Sequence, residues 1–284
     1  MTKPKVELGV ACLGMQNAAW WSNIMQMIIY ANKENKVDIT GVQLSVGMLN
    51  DRNKNAIIGN SIQRLNMTDE GRNKVTKGFL ATDADYIFWI DDDTVPPHDA
   101  IYKLLKSGHE FISGIYFLGA EPYNPIAYVR NPQGFYNAID DWQEGAIMEV
   151  DSVGMGCALI HRSVYEKILD QYDLYRRNNG SLQPIHKKYI QKPIKTMHTV
   201  KEHAYIKNGV YREQLTIVDK DTEDVFPYFM LEHNRTEDHM FCEMAQEAGN
   251  KIYVDTSILC DHWKNIAINK NNYYNKYFKD EGLE

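Results

Sequence analysis

Asp85-Tyr86-Ile87-Phe88-Trp89-Ile90-Asp91-Asp92-Asp93-Thr94-Val95-Pro96-Pro97 is the stretch on which the reading of the fold turns. An apolar and aromatic run enters three consecutive carboxylates, and two prolines then stop the strand and delay any helix. That pattern is a buried strand ending in concentrated negative charge. Three adjacent carboxylates repel one another, so placing them at the end of a core strand calls for a compensating cation, and oxygen ligands of this kind suit Mg²⁺ or Mn²⁺. An acidic surface turn is the plainer alternative, but such a turn has no need of an apolar run aimed into it.

Upstream, residues 6–14 form a short apolar run compatible with a first core strand ending in a flexible turn at Gly14. Residues 18–32 carry Trp20, Trp21, Ile24, Met25, Met27, Ile28 and Ile29 at helical spacing. A second strand is expected over 39–46. After the polar stretch 49–69, a helix is expected over 69–80, with Asp69 and Glu70 at its start and basic residues further along, as the helix dipole favours. Downstream, 99–107 reads as a helix capped by Gly108, and 111–117 as another strand. This alternation predicts an α/β fold with a mostly parallel sheet and helices on both faces. Ligands of such sheets sit outside the carboxyl ends of the strands, where Gly14 and Asp91 to Asp93 are placed.

The remainder is less regular. Residues 121–145, with Pro122, Pro125, Pro132 and Gly134, have the composition of loops and short hairpins. Residues 148–162 read as strand, Gly154-Met155-Gly156 bend and second strand. A helix is expected from Ser163 as N-cap, with Glu166 completing a capping box. The stretch 176–207 holds Arg176, Arg177, Lys187, Lys188, Lys192, Lys195, Lys201 and Lys207 against one acid, Glu202. It is either a positive patch able to meet phosphates, with aromatics for bases, or a solvated hairpin or loop. Residues 226–231 suggest an aromatic strand or edge. Thr236 is a good N-cap for a helix running to Gly249, with Glu237 and Asp238 in its first turn, where electrostatics alone would favour carboxylates. A last strand is expected over 252–259, followed by Asp261-His262-Trp263 and an Asn-, Lys- and Tyr-rich tail that reads as a helix or loop on the outside.

The 284 residues are 44% hydrophobic, ample for a sizeable core. A net charge of −7 argues against a protein that coats nucleic acid or membrane with its whole surface. Cys12, Cys157, Cys242 and Cys260 are widely spaced with no Cys-x-x-Cys, as expected of buried free thiols in a reducing compartment. With no apolar leader and no run near the ~18 apolar residues of a membrane span, a soluble, cytoplasmic protein without a membrane partner is expected.

Taken in order, four pieces of this layout resemble the GT-A glycosyltransferases. They are Gly71-Arg72-Asn73 before the acidic strand, Asp91-Asp92-Asp93 as the Asp-x-Asp motif, Thr236-Glu237-Asp238 at a later helix start, and Asp261-His262-Trp263 after the last strand. The resemblance implies one GT-A domain over 1–284. Residues 1–120 would be the nucleotide-sugar half, 121–264 the acceptor half with the basic insert 176–207, and 265–284 a tail. It implies transfer of a sugar from a nucleotide diphosphate, with a uridine sugar favoured, to an acceptor hydroxyl, assisted by Mn²⁺ or Mg²⁺. Asp93 would bind the cation directly, with Asp91 reaching the ribose or the metal through water and His262 as a further metal ligand. Asp92 would help to shape the turn, because side-chain alternation along an extended segment puts Asp91 and Asp93 together on the other side. Arg72 would hold the nucleotide or its phosphates. Asn73, Ala11 and Leu13 would belong to the same nucleotide site, and Gly154 and Gly156 would admit the donor sugar. In inverting members Asp238 would be the general base, and Glu237 would orient acceptor or sugar.

The chain also looks like the compact bacteriophage glycosyltransferases, some of which modify hydroxymethylated pyrimidines in DNA. That would give the basic insert a purpose, while a saccharide or protein acceptor remains the alternative. Two other readings stand beside this one: a metal-dependent nucleotidyltransferase or phosphotransferase, for which no Walker loop is present, and a non-catalytic nucleotide-sugar or DNA binder.

Overall fold

Strand and helix alternate along the first part of the chain as β1 (Lys5–Cys12), α1 (Ala18–Glu34), β2 (Asp38–Val46), α2 (Asn60–Leu80), β3 (Tyr86–Ile90), β4 (Thr94–Val95), α3 (Ala100–Ser107) and β5 (Phe111–Ile115). Short strands follow: β6 (Ala127–Arg130), β7 (Tyr136–Ala138), β8 (Ile147–Val150), β9 (Ser152–Val153) and β10 (Cys157–His161). Next come α4 (Arg162–Gln171), β11 (Tyr172–Arg176), β12 (Leu182–His186), β13 (Ile190–Met197), β14 (Val200–Lys207) and β15 (Val210–Val218). The chain closes with α5 (Glu237–Glu247), β16 (Ile252–Leu259), β17 (Asp261–Trp263) and β18 (Ala267–Ile268). The structure, a computed structural model, describes residues 3–12, 18–34, 37–46, 60–176, 182–197, 200–207, 210–218, 226–231, 235–263, 267–268 and 270.

The central sheet has seven strands in the order β2-β1-β3-β10-β5-β16-β8. β1 runs parallel to β2 and β3, and β16 parallel to β5. β10 is inserted antiparallel between β3 and β5, and β8 closes one edge antiparallel. The sheet is therefore mostly parallel, as the alternation predicts. Along β3 the side chains alternate between the two faces. Ile87 and Trp89 pack with Val75, Phe79, Tyr165 and Phe241. Phe88 and Ile90 pack with Trp20, Ile24, Met27, Ile101 and Leu104 beneath α1 and α3. Cover on both faces explains the unbroken apolar run, each buried side chain contributing roughly 1.5–3 kcal/mol.

Three antiparallel sheets surround this core: β12-β11-β15-β14-β13, β18-β17-β4 and β7-β6-β9. The basic stretch 176–207 is thus mostly strand, built into the five-stranded sheet. α3 ends as expected, with Gly108 at φ 74° in the left-handed region.

Several local expectations are corrected. α2 begins at Asn60, so Asp69 and Glu70 lie inside it rather than at its favourable end; burial pushes the Asp69 carboxyl up to about 6. α4 is capped by His161, whose Nδ1 accepts from the Ser163 N–H at 3.1 Å, so Ser163 is inside the helix. Thr236 caps α5 as read, but that helix ends at Glu247, with Ala248 as C-cap and Gly249 beyond it at φ 86°. Residues 226–231 form no strand. They are held instead by Asn73, whose Nδ2 donates to the Phe229 carbonyl at 2.8 Å while its Oδ1 accepts from the Phe229 N–H at 2.9 Å.

Candidate active site

Strands that share a direction deliver their following residues to one edge of the sheet. β3 delivers Asp91 to Asp93, β5 delivers Tyr116 and Phe117, and β16 leads into β17 with His262. β10, running the other way, begins at that edge, so Gly154 to Gly156 arrive there too. Trp20 supports the acidic turn from α1 by donating its Nε1–H to the Asp91 carbonyl at 3.0 Å.

Arg72, on α2, links the end of β3 to the first turn of α5. It is 3% exposed, and its Nη1 donates to Asp238 Oδ1 at 2.7 Å while its Nη2 donates to Asp91 Oδ1 at 2.9 Å. Glu237 Oε1 stands 3.7 Å from its Nε, which is buried with no hydrogen-bond partner. One guanidinium thus faces three carboxylates, a local excess of negative charge. Burial opposes the charge on Arg72, but Asp238, Asp91 and Glu237 outweigh it and raise its pKa. Burial pushes Asp91 up to about 6 against the pull of Arg72, with Asp93 and Glu237 adding to the rise. Asp238 is raised well above the carboxylate range by burial, with Arg72 again opposing. The second Asp238 oxygen, Oδ2, faces the Met155 N–H at 3.4 Å, a long contact that leaves lone-pair capacity.

Asp93 points elsewhere. Residues 91–94 form a turn, closed by the Thr94 N–H donating to the Asp91 carbonyl at 3.1 Å, so Asp91 and Asp93 do not share one side of an extended segment. Asp93 Oδ2 lies 3.1 Å from His262 Nε2. His262 Nδ1 donates to the Phe117 carbonyl at 2.6 Å, so in the neutral ring Nε2 carries a lone pair toward a carboxylate. Two acceptors at that separation need a positive charge between them, either a proton or a cation, and an imidazole nitrogen with a carboxylate oxygen is a donor set that suits Mn²⁺. Among the described residues no group of three or more His, Cys, Asp or Glu converges to hold a metal. A cation held by this pair would complete its coordination with phosphate oxygens and water, as Mg²⁺ does in phosphate sites.

The glycines have a different neighbour from the one expected. A Cβ on Gly154 would stand 2.0 Å from the Tyr116 hydroxyl, and one on Gly156 would stand 2.6 Å from Tyr116 Cζ and 2.8 Å from Thr94 Oγ1. What the two glycines admit is the ring of Tyr116, whose hydroxyl accepts from the Gly156 N–H at 3.1 Å. Burial, with Asp91 and Asp238 nearby, holds the Tyr116 phenol well above its ordinary range, so it stays protonated. Next to it, Thr94 Oγ1 is fully buried with no hydrogen-bond partner. Sequence reasoning passed over Tyr116 and Thr94. Two glycines one residue apart, in a chain with an aromatic after a core strand, were the available signal, though they name no partner.

The structure brings Arg72, Asp91, Glu237 and Asp238 together, and Asp93 with His262. Asn73 faces the chain itself, pinning 226–231. Ala11 packs beside α2, its Cβ 3.5 Å from a Cβ built on Gly71, while Leu13, like Gly14, lies outside the described residues. So do Arg177 and the side chains of Lys192, Lys195, Lys201 and Lys207. Of the remaining basic residues, Lys187 donates to the Asp170 carbonyl at 2.7 Å, and Lys188 stands 3.5 Å from Glu247. No helix of the described residues is long and apolar enough to cross a membrane.

No family model matches this chain, and no curated protein matches it. Among solved structures, A197 from STIV is similar over 95% of this chain and 91% of its own, at 14% sequence identity and a TM-score of 0.45.

Proposed function

We propose that the chain is a divalent-cation-dependent glycosyltransferase of the GT-A type, moving a sugar from a nucleotide diphosphate to an acceptor hydroxyl. The observation that carries this reading is the pairing, at one sheet edge, of a carboxylate–imidazole couple with a carboxylate cluster around the buried Arg72. A divalent cation between Asp93 and His262 would offset the charge that grows on the diphosphate as the glycosidic bond breaks.

In this reading Asp238 acts as the base of an inverting transfer. Arg72 fixes Oδ1 and with it the plane of the carboxylate, leaving Oδ2 to accept the acceptor hydroxyl's proton. The acceptor oxygen forms a bond to the anomeric carbon, and the bond to the diphosphate oxygen breaks. Burial raises the Asp238 pKa with Arg72 opposing, so its carboxylate is a stronger base than one in water. Glu237, buried beside Arg72, adds to the field and can orient the acceptor. Tyr116 holds the Gly154 to Gly156 backbone in place between the two groups.

The test is release of nucleoside diphosphate from a panel of nucleotide sugars with Mn²⁺, alongside a thermal-shift assay of the same panel. Asp93→Ala and His262→Ala are expected to lose the cation-dependent shift and turnover. Asp238→Asn should lose turnover but keep the shift. If no nucleotide sugar raises the melting temperature or is consumed, the proposal fails. For the DNA-acceptor extension, salt-sensitive gel shift of duplex DNA is the measurement, and its absence would confine the acceptor to saccharide or protein.

A further inference from the structure

The small sheet β7-β6-β9 stands beside Asp238, because β9 runs into Met155, whose N–H faces Asp238 Oδ2 at 3.4 Å. Tyr128 and Arg130 fall on one face of β6, with Tyr136 opposite Arg130 and Ser152 opposite Tyr128 in the antiparallel registers. His239, the residue after Asp238, packs on that face. Its Nδ1 lies 2.7 Å from Oγ of the fully buried Ser152, its ring is stacked on Tyr136 at 4.3 Å and 13°, and Tyr128 meets it edge-on at 4.9 Å. Burial, with Asp238 nearby, raises the Tyr128 phenol, so Tyr128 borders both this stack and the candidate base.

Arg130 ends the row. Its guanidinium lies over the Tyr136 ring, Cζ 4.8 Å from the centroid, and its Nη2 donates to the Tyr136 hydroxyl at 2.5 Å. Tyr136 is fixed by His239 and His239 by Ser152, so the cation is held in one orientation by a chain of contacts that starts in the core. Arg130 is nevertheless exposed, and among the described residues no carboxylate pairs with its guanidinium at salt-bridge distance. The two acids that bear on its charge are engaged elsewhere. Asp151 accepts from the Arg130 backbone N–H at 2.6 Å and from Gln246 Nε2 at 3.1 Å, and Glu243 pairs with Arg235. In a chain of net charge −7 this is an ordered guanidinium with most of its donors still to spend.

Resting on the transfer reading above, we infer that Arg130 holds a phosphate carried by the acceptor, one monomer unit away from the hydroxyl presented to Asp238. Tyr128 and Arg130 are two residues apart on β6, roughly 7 Å of strand, a span that a single sugar or nucleotide unit bridges. The guanidinium fork matches carboxylate and phosphate alike, but phosphate brings more charge and three acceptor oxygens to the donors that Tyr136 leaves open. Asp91, Glu237 and Asp238 make the reacting end of the site acidic, so an anion on the acceptor is turned away there and drawn to Arg130. The charge pattern thereby decides which end of the acceptor faces the base.

Calorimetric titration of the full chain without Mn²⁺ or donor tests this, with thymidine 5′-monophosphate and glucose 6-phosphate set against thymidine, glucose and glucuronate. At least one phosphorylated probe is expected to bind about tenfold or more tighter than its neutral partner, and glucose 6-phosphate tighter than glucuronate. Whichever phosphorylated probe gains more identifies the source of the phosphate. Arg130→Gln should remove most of that gain, Arg130→Lys should restore part of it without the fork, and Tyr136→Phe, which frees the guanidinium from its hydroxyl, should weaken binding roughly two- to tenfold. The Mn²⁺-dependent thermal shift with nucleotide sugars should be the same in Arg130→Gln as in the wild type, which separates the two readings. Loss of that shift in every form sinks the transferase while Arg130-dependent phosphate binding still supports the anion site. Equal binding of phosphorylated and neutral probes overturns the inference. So does a folded Arg130→Gln chain that keeps the preference.

Discussion

Replacing Arg72 with methionine separates two roles for this residue, ligand holder or internal counter-charge. Met keeps much of the aliphatic volume and removes the cation. The structure gives Arg72 two charge-assisted hydrogen bonds, at 2.7 and 2.9 Å, and a third carboxylate at 3.7 Å. Each such bond contributes about 1.5–3 kcal/mol, and breaking a buried ion pair by removing one partner costs about 3–5 kcal/mol. We expect a loss of about 3–5 kcal/mol at neutral pH, or about 6–10 °C in melting temperature at roughly 2 °C per kcal/mol for a chain of this size. The loss should shrink toward pH 5, because protons can then neutralise the carboxylates left behind. Urea unfolding followed by tryptophan fluorescence measures it. The Arg72→Met/Asp238→Asn double variant should lose clearly less than the sum of the singles, since the two substitutions remove the same interaction. A loss below about 1 kcal/mol, accompanied by weaker nucleotide binding, would refute the counter-charge reasoning and return Arg72 to the substrate.

Gly154→Ala should cost about 1–3 kcal/mol through collision with Tyr116, and Tyr116→Phe in the same chain should recover part of that by removing the nearest atom, as thermal melts of the two variants would show. Asn73→Ala leaves both polar groups of Phe229 unpaired and should cost about 2–4 kcal/mol, with increased proteolysis around 226–231; a neutral effect would mean that segment is held by its aromatics alone. His239, its ring stacked on Tyr136 and Nδ1 2.7 Å from Ser152 Oγ, has its pKa lowered to about 4 by burial, with Arg235 and Arg130 adding to it. The unfolded chain therefore binds the extra proton first, so this stability is complete above about pH 6.5 and falls as pH drops toward 4. Partial exposure limits the loss to about 1–2 kcal/mol, and His239→Gln should flatten the stability profile in that window. Asp69, raised to about 6, acts with the opposite sign, so the difference between wild type and variant isolates the histidine.

How far the sequence could be read depended on how local the controlling interaction was. The run 86–90 announced β3 because every position from Ile87 to Ile90 is buried, and Thr236 announced α5 because its cap reaches only to His239. Asn60 as the start of α2 had no such local mark. The direction of β10 was equally hidden, since a five-residue apolar strand carries no sign of which way it runs. Within the site, the types were legible and the partners were not. Arg72 and Asp238 are 166 residues apart, and nothing in the pattern around Arg72 says that its fork closes on the chain rather than on a phosphate. The reason for setting Asp92 apart from Asp91 and Asp93 assumed an extended backbone where the chain turns.

The position of β10 also bears on how the chain comes to fold. β3 and β5 are separated in sequence by the two-residue β4 and one short helix, yet they never touch as sheet neighbours; the place between them is filled by a strand that the chain supplies only at Cys157. Until then β3 presents an open apolar edge and β5 has neither of its sheet partners, so a ribosome-bound chain carrying only the first 120 residues holds a three-stranded sheet and a lone strand, vulnerable to pairing with the wrong neighbour. Residues 1–120 are in this sense not a unit of assembly: completion of the sheet, and of the carboxylate cluster at its edge, waits for residues synthesised far downstream.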